Sequence, residues 1–416
     1  SSYSDSVMSA SRLSNFFRRQ RSWIRPLLQA VKSRGELQRA DWDDIMCSGR
    51  AGRLGSTGSY FTFGRMHYAF WADSRSEAAV LGAAELTEQC QTLRSHSVAG
   101  EVNPAALLTL LKCACEAASC QVSGALGATV HLDMSLGGKT IIGAKRYAIR
   151  SWVDKVEASG RTQKVYVQAS CSHATDHRDP FVSSLEAPAA LIASARALCI
   201  VRPSTAAPFQ ESANQHEYSD ALYEIHTSKS DIRGFLDLDV VTGWTYSPLL
   251  RPLYIQMPAT DETLVRYCGQ GGESSLLSGK AMAVLFEDPR SLRVVGGVRF
   301  NSTSEGLPRH AHGGAQSAAL FDSCVALIDA TRRQDTDGRD CAVAPDMALS
   351  SFVVNYEASA PLEELLAIHT VWRDDDPRTG VVVASLAGLT NGRTYSEATF
   401  TIAGHAQRRL HNAICQ

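Results

Sequence analysis

Apolar and polar residues alternate along many stretches of the chain, and two longer runs of small and apolar residues have helical spacing. In the C-terminal half, KAMAVLFEDP and LRVVGGVRF (280–300) predict a strand hairpin, and residues from about Gly313 to Thr331 predict a helix. ALSSFVVNYEA (348–358), LLAIHTVWRD (365–374), and GVVVASLAG with TYSEATFTIAG (380–404) then read as strands. The N-terminal half follows the same grammar: a helix NPAALLTLLKCACEAAS (103–119), then strands ATVHLDMSL, AKRYAIRSWVDKVE and KVYVQASCS. Asn103 suits the cap of that helix and Pro104 its first turn.

Two copies of one grammar imply an internal repeat. FWADSRSEAAVLG (70–82) matches LFEDPRSLRVVGG (285–297), with Asp73, Arg75, Ser76 and Gly82 recurring as Asp288, Arg290, Ser291 and Gly297 at an offset of 215. RSWVDKVEASGRTQKVYVQAS (150–170) resembles TVWRDDDPRTGVVVASL (370–386), with Trp152 and Trp372 at an offset of 220. Residues 171–245, with a short helical stretch EAPAALIASARALCI (186–200), read as a long connector. The expected partition is a basic arm (1–55), a first unit (56–170), the connector, a second unit (246–405) and a tail (406–416). A helix wrapped by a strongly curved antiparallel sheet, twice in one chain, is an α+β architecture.

Composition narrows the field. With 416 residues, 44% of them apolar, the chain can bury real cores, which excludes disorder and small disulfide scaffolds. Lys and Arg number 41 against 43 Asp and Glu, so no overall field draws in nucleic acid, and no nucleic-acid partner is expected. Eleven cysteines without a CxxC pair read as free or buried thiols in a reducing compartment. No run of 18 apolar residues marks a membrane-spanning helix. Residues 11–39 differ from the rest, carrying eight Arg and Lys against Glu36 alone, together with Phe16, Phe17 and Trp23. Residues 1–40 are therefore expected to dock on a partner subunit or an anionic lipid surface; a solvated helix or a remnant targeting segment is the alternative. A chain opening on Ser1 rather than Met, with an Arg-rich beginning, is read as a mature mitochondrial protein of the matrix side whose leader was removed.

The candidate chemistry lies in the second copy. GLPRHAHGGAQSAALFDSCVALI (306–328) resembles the signature of the hotdog-fold acyl-CoA thioesterases, in which a His-Gly-Gly turn opens the long central helix and an acid follows along it. NYEASAPL (355–362) and TNGRTYSEATFTI (390–402) resemble the strand and final hairpin that come next, and the likeness runs over 280–404 and more weakly over 60–170. The resemblance implies a tandem double hotdog whose sites combine the turn of one unit with the acid of the other, and acyl-CoA or CoA as ligand. It assigns Gly313 and Gly314 as amide donors to a thioester oxyanion, Asp322 as base, His310 or His312 as holder of the approach turn, and Asn301 and Ser323 as supporting or ligand-binding residues. No cofactor is implied. The plainer alternative is a capped loop, a Gly-Gly pair needed for close packing and an Asp that satisfies the backbone.

Two departures bear on catalysis. The family acid lies nine residues after the turn histidine, where this chain has Phe321; Asp322 is one further, about 100° around a helix. Aligning the helices at an offset of 210 sets Lys112 against Asp322, and Val102, Asn103 and Pro104 against His312, Gly313 and Gly314. Pairing within the chain then leaves one turn facing Lys112 and Asp322 facing a Pro-containing turn, with Glu116 as the one substitute acid. The expected function is a thioesterase-like protein with a lost or impaired site, serving as accessory subunit of a large mitochondrial complex, an inner-membrane energy complex foremost; the alternative is an active acyl-CoA thioesterase. No nucleophile elbow or phosphate loop is present, since GRAGRLGSTG (49–58) and CGQGG (268–272) have the wrong spacing. His173, His177, Asp176 and Asp179 lack further ligands in register for a metal, so no metal is expected, and DDDP (374–377) reads as a solvated hairpin turn.

Overall fold

A computed structural model describes residues 37–38, 66–73, 76–86, 102–123, 127–137, 146–173, 191–202, 239–240, 247, 249, 251–256, 276–277, 281–306, 309–336 and 348–403. In chain order they form β1 (Leu37–Gln38), β2 (Met66–Asp73), β3 (Ser76–Leu86), α1 (Pro104–Ser123), β4 (Gly127–Leu136), β5 (Arg146–Ser159), β6 (Thr162–His173) and β7 (Leu191–Val201). The second half repeats the series as β8 (Arg251–Gln256), β9 (Ala281–Asp288), β10 (Arg293–Phe300), α2 (Gly313–Thr336), β11 (Ala348–Tyr356), β12 (Leu365–Trp372), β13 (Val381–Gly388) and β14 (Thr394–Ala403).

All these strands share one antiparallel sheet in the order β1-β2-β3-β5-β6-β7-β4-β11-β14-β13-β12-β10-β9-β8. Read outward from the middle, the first half runs β4, β7, β6, β5, β3, β2, β1 and the second β11, β14, β13, β12, β10, β9, β8, element for element. The halves join edge to edge where β4 meets β11, with Asp133 opposite Val353. That pair marks a pseudo-two-fold axis, and α1 and α2 pack against each other beneath the sheet. One continuous core holds Leu107, Leu110 and Leu111 of α1 with Ala318, Ala319 and Phe321 of α2, as their helical spacing predicts. α1 is apolar enough over 18 residues to match a membrane span, but 83% of that window is buried inside the fold, which makes it a core helix.

The connector expectation fails at residues 191–201. EAPAALIASARALCI was expected to be helical, yet Leu191–Val201 is a strand that pairs with both β6 and β4. Its alanines carry helix propensity, but Ala193, Ala195, Ala197, Cys199 and Val201 are all buried at a spacing of two, and sheet pairing on both edges overrides local preference. The first unit therefore runs past 170, and 171–245 is not a connector throughout. DDDP lies in the hairpin connection between β12 and β13, two short 3-10 turns (Arg373–Asp375 and Pro377–Thr379), with Asp374 and Asp375 exposed as expected and Pro377 buried. The arm at 1–40, apart from Leu37–Gln38, the tail at 406–416, the two glycine-rich stretches, and His177, Asp176 and Asp179 lie outside the described residues.

The structure also corrects the repeat alignment, always by one residue. In the first hairpin Phe70 faces Gly82, whereas in the second Leu285 faces Gly296, so Gly82 corresponds to Gly296 rather than Gly297. Val80 pairs with Ser151 and Val294 with Thr370, which makes Ser151 and Thr370 equivalent. Both point inward and bond to their helix: Ser151 donates to the Ala114 carbonyl at 2.8 Å, and Thr370 shares a hydrogen bond with Ser323 at 2.7 Å. The two tryptophans are thus not equivalent. Trp372 is buried and donates to Thr331 of α2 at 2.9 Å, whereas Trp152 lies half-buried on the outer face under the Arg150 guanidinium.

Candidate functional site

Both helices begin with the same device. Asn103 accepts the Ala105 N–H on Oδ1 at 2.8 Å, and its carbonyl accepts from Ala106 at 2.9 Å and Leu107 at 3.2 Å. His312 accepts the Gly314 N–H on Nδ1 at 3.1 Å, and its carbonyl accepts from Ala315 at 2.9 Å and Gln316 at 3.2 Å. Asn103 therefore corresponds to His312, and Pro104 to Gly313. The offset between helices is 209, not 210: Phe321 is the counterpart of Lys112, and Asp322 that of Cys113.

Lys112 stands against the Gly-Gly turn of the other unit. A methyl group built on Gly313 would come 2.8 Å from Lys112 Cε and 3.0 Å from Tyr356 Cε1. Glycine is thus needed at 313 for close approach, and the approaching groups belong to the protein itself. Lys112 Nζ donates to Glu116 Oε1 at 2.5 Å, and the Thr129 hydroxyl donates to the same oxygen at 2.9 Å. The Tyr356 hydroxyl lies 2.7 Å from Ser317 Oγ, which donates to the Gly313 carbonyl at 3.0 Å and so receives the phenolic proton. The Lys112 ammonium lies 6.0 Å from the centre of the Tyr356 ring.

Burial sets the charge states. It opposes the Lys112 charge, yet Glu116 above all, with Tyr356 and Cys113, holds the ammonium protonated well above the ordinary lysine value. Burial pushes the Tyr356 phenol up to about 12. Burial, with the Lys112 charge behind it, keeps His312 well below the ordinary imidazole value. A neutral imidazole that accepts on Nδ1 carries its proton on Nε2.

The sequence-predicted residues divide accordingly. His312, Gly313 and Gly314 lie at the cluster. Asp322 is half-buried nine residues along the helix from Gly313, about 13 Å along its axis, too far to act at its own turn. The Phe321 ring packs 6.0 Å from Phe352 and 6.2 Å from Phe400 in the core of its own unit. Ser323 is buried against Thr370 and the Leu320 carbonyl, away from the turn. His310 forms a bridge with Pro361, and Asn301 starts the short 3-10 turn Ser302–Ser304, so both shape the approach loop. Sequence reasoning missed Tyr356, Ser317 and Thr129 as members. NYEASAPL marks the strand that carries Tyr356 but not the residue's place in the cluster, and Thr129 and Ser317 carry no local signal.

Cys113, Glu116 and His312 bring one ligand atom each within 4.8 Å of one another. This trio does not fit a cation. The Lys112 ammonium already sits on the carboxylate, and Nδ1 is the cap acceptor, so coordination through Nε2 would move the ring proton to Nδ1 and break the cap. The pseudo-symmetric positions in the other half are Pro104 for Gly313, Phe321 for Lys112, Val325 for Glu116, Leu136 for Tyr356 and Leu108 for Ser317. Every one is apolar, so among the described residues the polar cluster has no counterpart in the other half.

Two long helices, each under its own seven strands, meet at a central seam with the turn of one unit against the helix of the other. The chain is a tandem double hotdog. No protein-family model matches it, and no curated protein matches its sequence. Among solved structures, this double hotdog is similar to a candidate thioesterase from Novosphingobium aromaticivorans at 11% identity and a TM-score of 0.42, over 79% of this chain and 96% of that one. It is also similar to the 12:0-ACP thioesterase from Umbellularia californica at 8% identity and a TM-score of 0.36, over 82% of this chain and 97% of that one. A hot dog fold protein of unknown function from Alicyclobacillus acidocaldarius gives 8% identity and a TM-score of 0.39, over 78% of this chain and 93% of that one. With scores this low, none of these likenesses bears on the role of any residue in the double hotdog.

Proposed function

We propose that this thioesterase-like double hotdog does not turn over thioesters and works as a non-catalytic subunit of a larger assembly. The observation that carries the first part is Lys112, buried against Gly313 and paired with Glu116. Thioester hydrolysis at such a turn needs room for the carbonyl, amide donors free to meet the oxyanion, and a carboxylate able to take a proton from water. Here Lys112 and Tyr356 fill the room, His312 takes the Gly314 N–H, and the Glu116 carboxylate accepts from Lys112 and Thr129. At the other turn Pro104 has no N–H to offer and Asn103 takes that of Ala105. Purified protein assayed with octanoyl-CoA and palmitoyl-CoA is expected to show no cleavage above the thioester's own decay. The presence of Glu116 beside the turn favours a second reading, an active acyl-CoA thioesterase, and robust turnover abolished by Glu116→Gln would establish it.

The subunit role is supported by the aromatic, basic composition of 11–39. Exposed ion pairs stabilise by only about 0 to 1 kcal/mol each, so docking would rest on Phe16, Phe17, Trp23, Ile24 and Leu27, with the charges setting orientation. The host in this reading is a mitochondrial complex on the matrix side, bound through protein subunits or through anionic lipid. Removing residues 1–36, which spares the edge strand Leu37–Gln38, is expected to leave the double hotdog folded and release it from co-purifying subunits, as native mass measurement would show. A truncated chain that unfolds, or that keeps its partners, contradicts this role.

A further inference from the structure

We infer that a second copy of this chain binds the outer face of the second unit, sheet on sheet over β11, β14, β13, β12 and β10, about a two-fold axis along β13. The pairing is independent of the non-catalytic reading above. On this face Val353, Thr399, Val383 and Val371 stand side by side across four strands, all half-exposed, and Arg293 at the end of the row is held by Asp288 at 2.9 Å. The fold does not demand such a row. Its counterpart in the first unit is Asp133, Arg196, Gln168 and Trp152, side by side in the same order. One sheet thus has a charged half suited to water and a half of β-branched residues suited to packing against another protein.

The next row decides the occupant. Asn355, Glu397, Ser385 and His369 are neighbours on β11, β14, β13 and β12, so Glu397 and His369, both exposed, flank Ser385 one strand to either side. Partial desolvation and the Arg293 charge hold His369 below the ordinary imidazole value, so its neutral ring has an N–H to give. A two-fold axis along β13 turns β14 of one copy over β12 of the other. Each Glu397 then meets the second copy's His369, acceptor against donor, while Val383 meets Val383 on the axis and Thr399 meets Val371. A partner with a single sign of charge would leave one of the two polar groups unmatched. Sheets stacked in this way lie about 10 Å apart. Five strands about 4.8 Å apart and about eight residues long present on the order of 650 Å² per copy, about 1,300 Å² for the pair, within the range of specific stable interfaces.

The experiment is analytical sedimentation of full chains from low to high micromolar concentration. Wild type is expected to sediment at twice the mass of one chain. Val383→Lys, which sets two ammonium groups against each other on the axis, is expected to sediment as a single chain. His369→Glu brings carboxylates together and should raise the dissociation constant at least about tenfold, and adding Glu397→Lys to it should restore wild-type pairing. These last two changes lie on exposed side chains, so they decide the matter should Val383→Lys fail to fold. A monomeric wild type overturns the inference. If that monomer pairs only once residues 1–36 are removed, the segment is the occupant and the second copy is equally overturned. A folded Val383→Lys that still pairs as wild type does places the contact on another surface and overturns it too. A charge swap that fails to rescue His369→Glu overturns the meeting of Glu397 with His369, and with it the two-fold axis along β13.

Discussion

His312 and Asn103 hold the same position at the two helix starts, one with an imidazole nitrogen and the other with an amide oxygen. The histidine makes its cap sensitive to acid. Its folded value is depressed below the ordinary 6.5 by burial and Lys112, so below about that pH the unfolded chain takes up a proton that the folded one refuses. Stability is expected to fall as pH drops through 6.5, with a smaller part of the slope from His369, an exposed ring depressed in the same direction by partial desolvation and the Arg293 charge. His312→Asn, which borrows the cap of the other helix, should keep the fold and flatten that slope; denaturant midpoints at pH 7 and pH 5 measure it. Glu116→Ala should be far more harmful, about 3 to 5 kcal/mol, because it leaves a buried ammonium without its partner. Wild-type-like denaturant midpoints in that variant would mean that the pair is solvated.

At the level of elements, the strands on either side of each helix were legible because their faces alternate, as in Ile368, Thr370 and Trp372 buried between half-exposed Ala367 and Val371. The helix caps were legible too, Asn103 and Pro104 from residue type alone. β7 was not, since a run of alanines declares its face only when both neighbours are in place. The pairing of Trp152 with Trp372 misled because one residue of slip in a strand exchanges inside for outside. The difference is measurable: Trp372→Ala should cost about 3 to 5 kcal/mol, whereas Trp152→Ala on the outer face should cost about 1 kcal/mol, much of it the Arg150 contact. Equal losses at the two positions would show that Trp152 is packed inside. In the site, the turn and Lys112 could be read from the motif and helix spacing. Tyr356 and Thr129 could not, because each reaches the cluster from a strand on a different side of the seam.

Across the whole molecule, β4 and β11 are inner strands of a single sheet, so neither half keeps a covered edge without the other. The two halves are expected to unfold in one transition, and each expressed alone should be insoluble or unfolded; a stable isolated half would contradict the shared sheet. Loss of stability at high pH should also be shared. Burial holds the Cys171 and Cys199 thiols up at about 12 against an ordinary 9.0, and Tyr356 at about 12 against 10.0. Above pH 9 the unfolded chain loses protons that the folded one retains, so denaturant midpoints should decline from pH 9 towards 12. Placing both units on one polypeptide has a consequence for heredity. Two identical subunits receive every substitution twice, once in each cleft, so a change that closes one closes both. On a single chain Pro104 and Gly313 are separate letters, and one cleft can be packed with proline, phenylalanine and leucine while its twin keeps a glycine, a lysine and a glutamate.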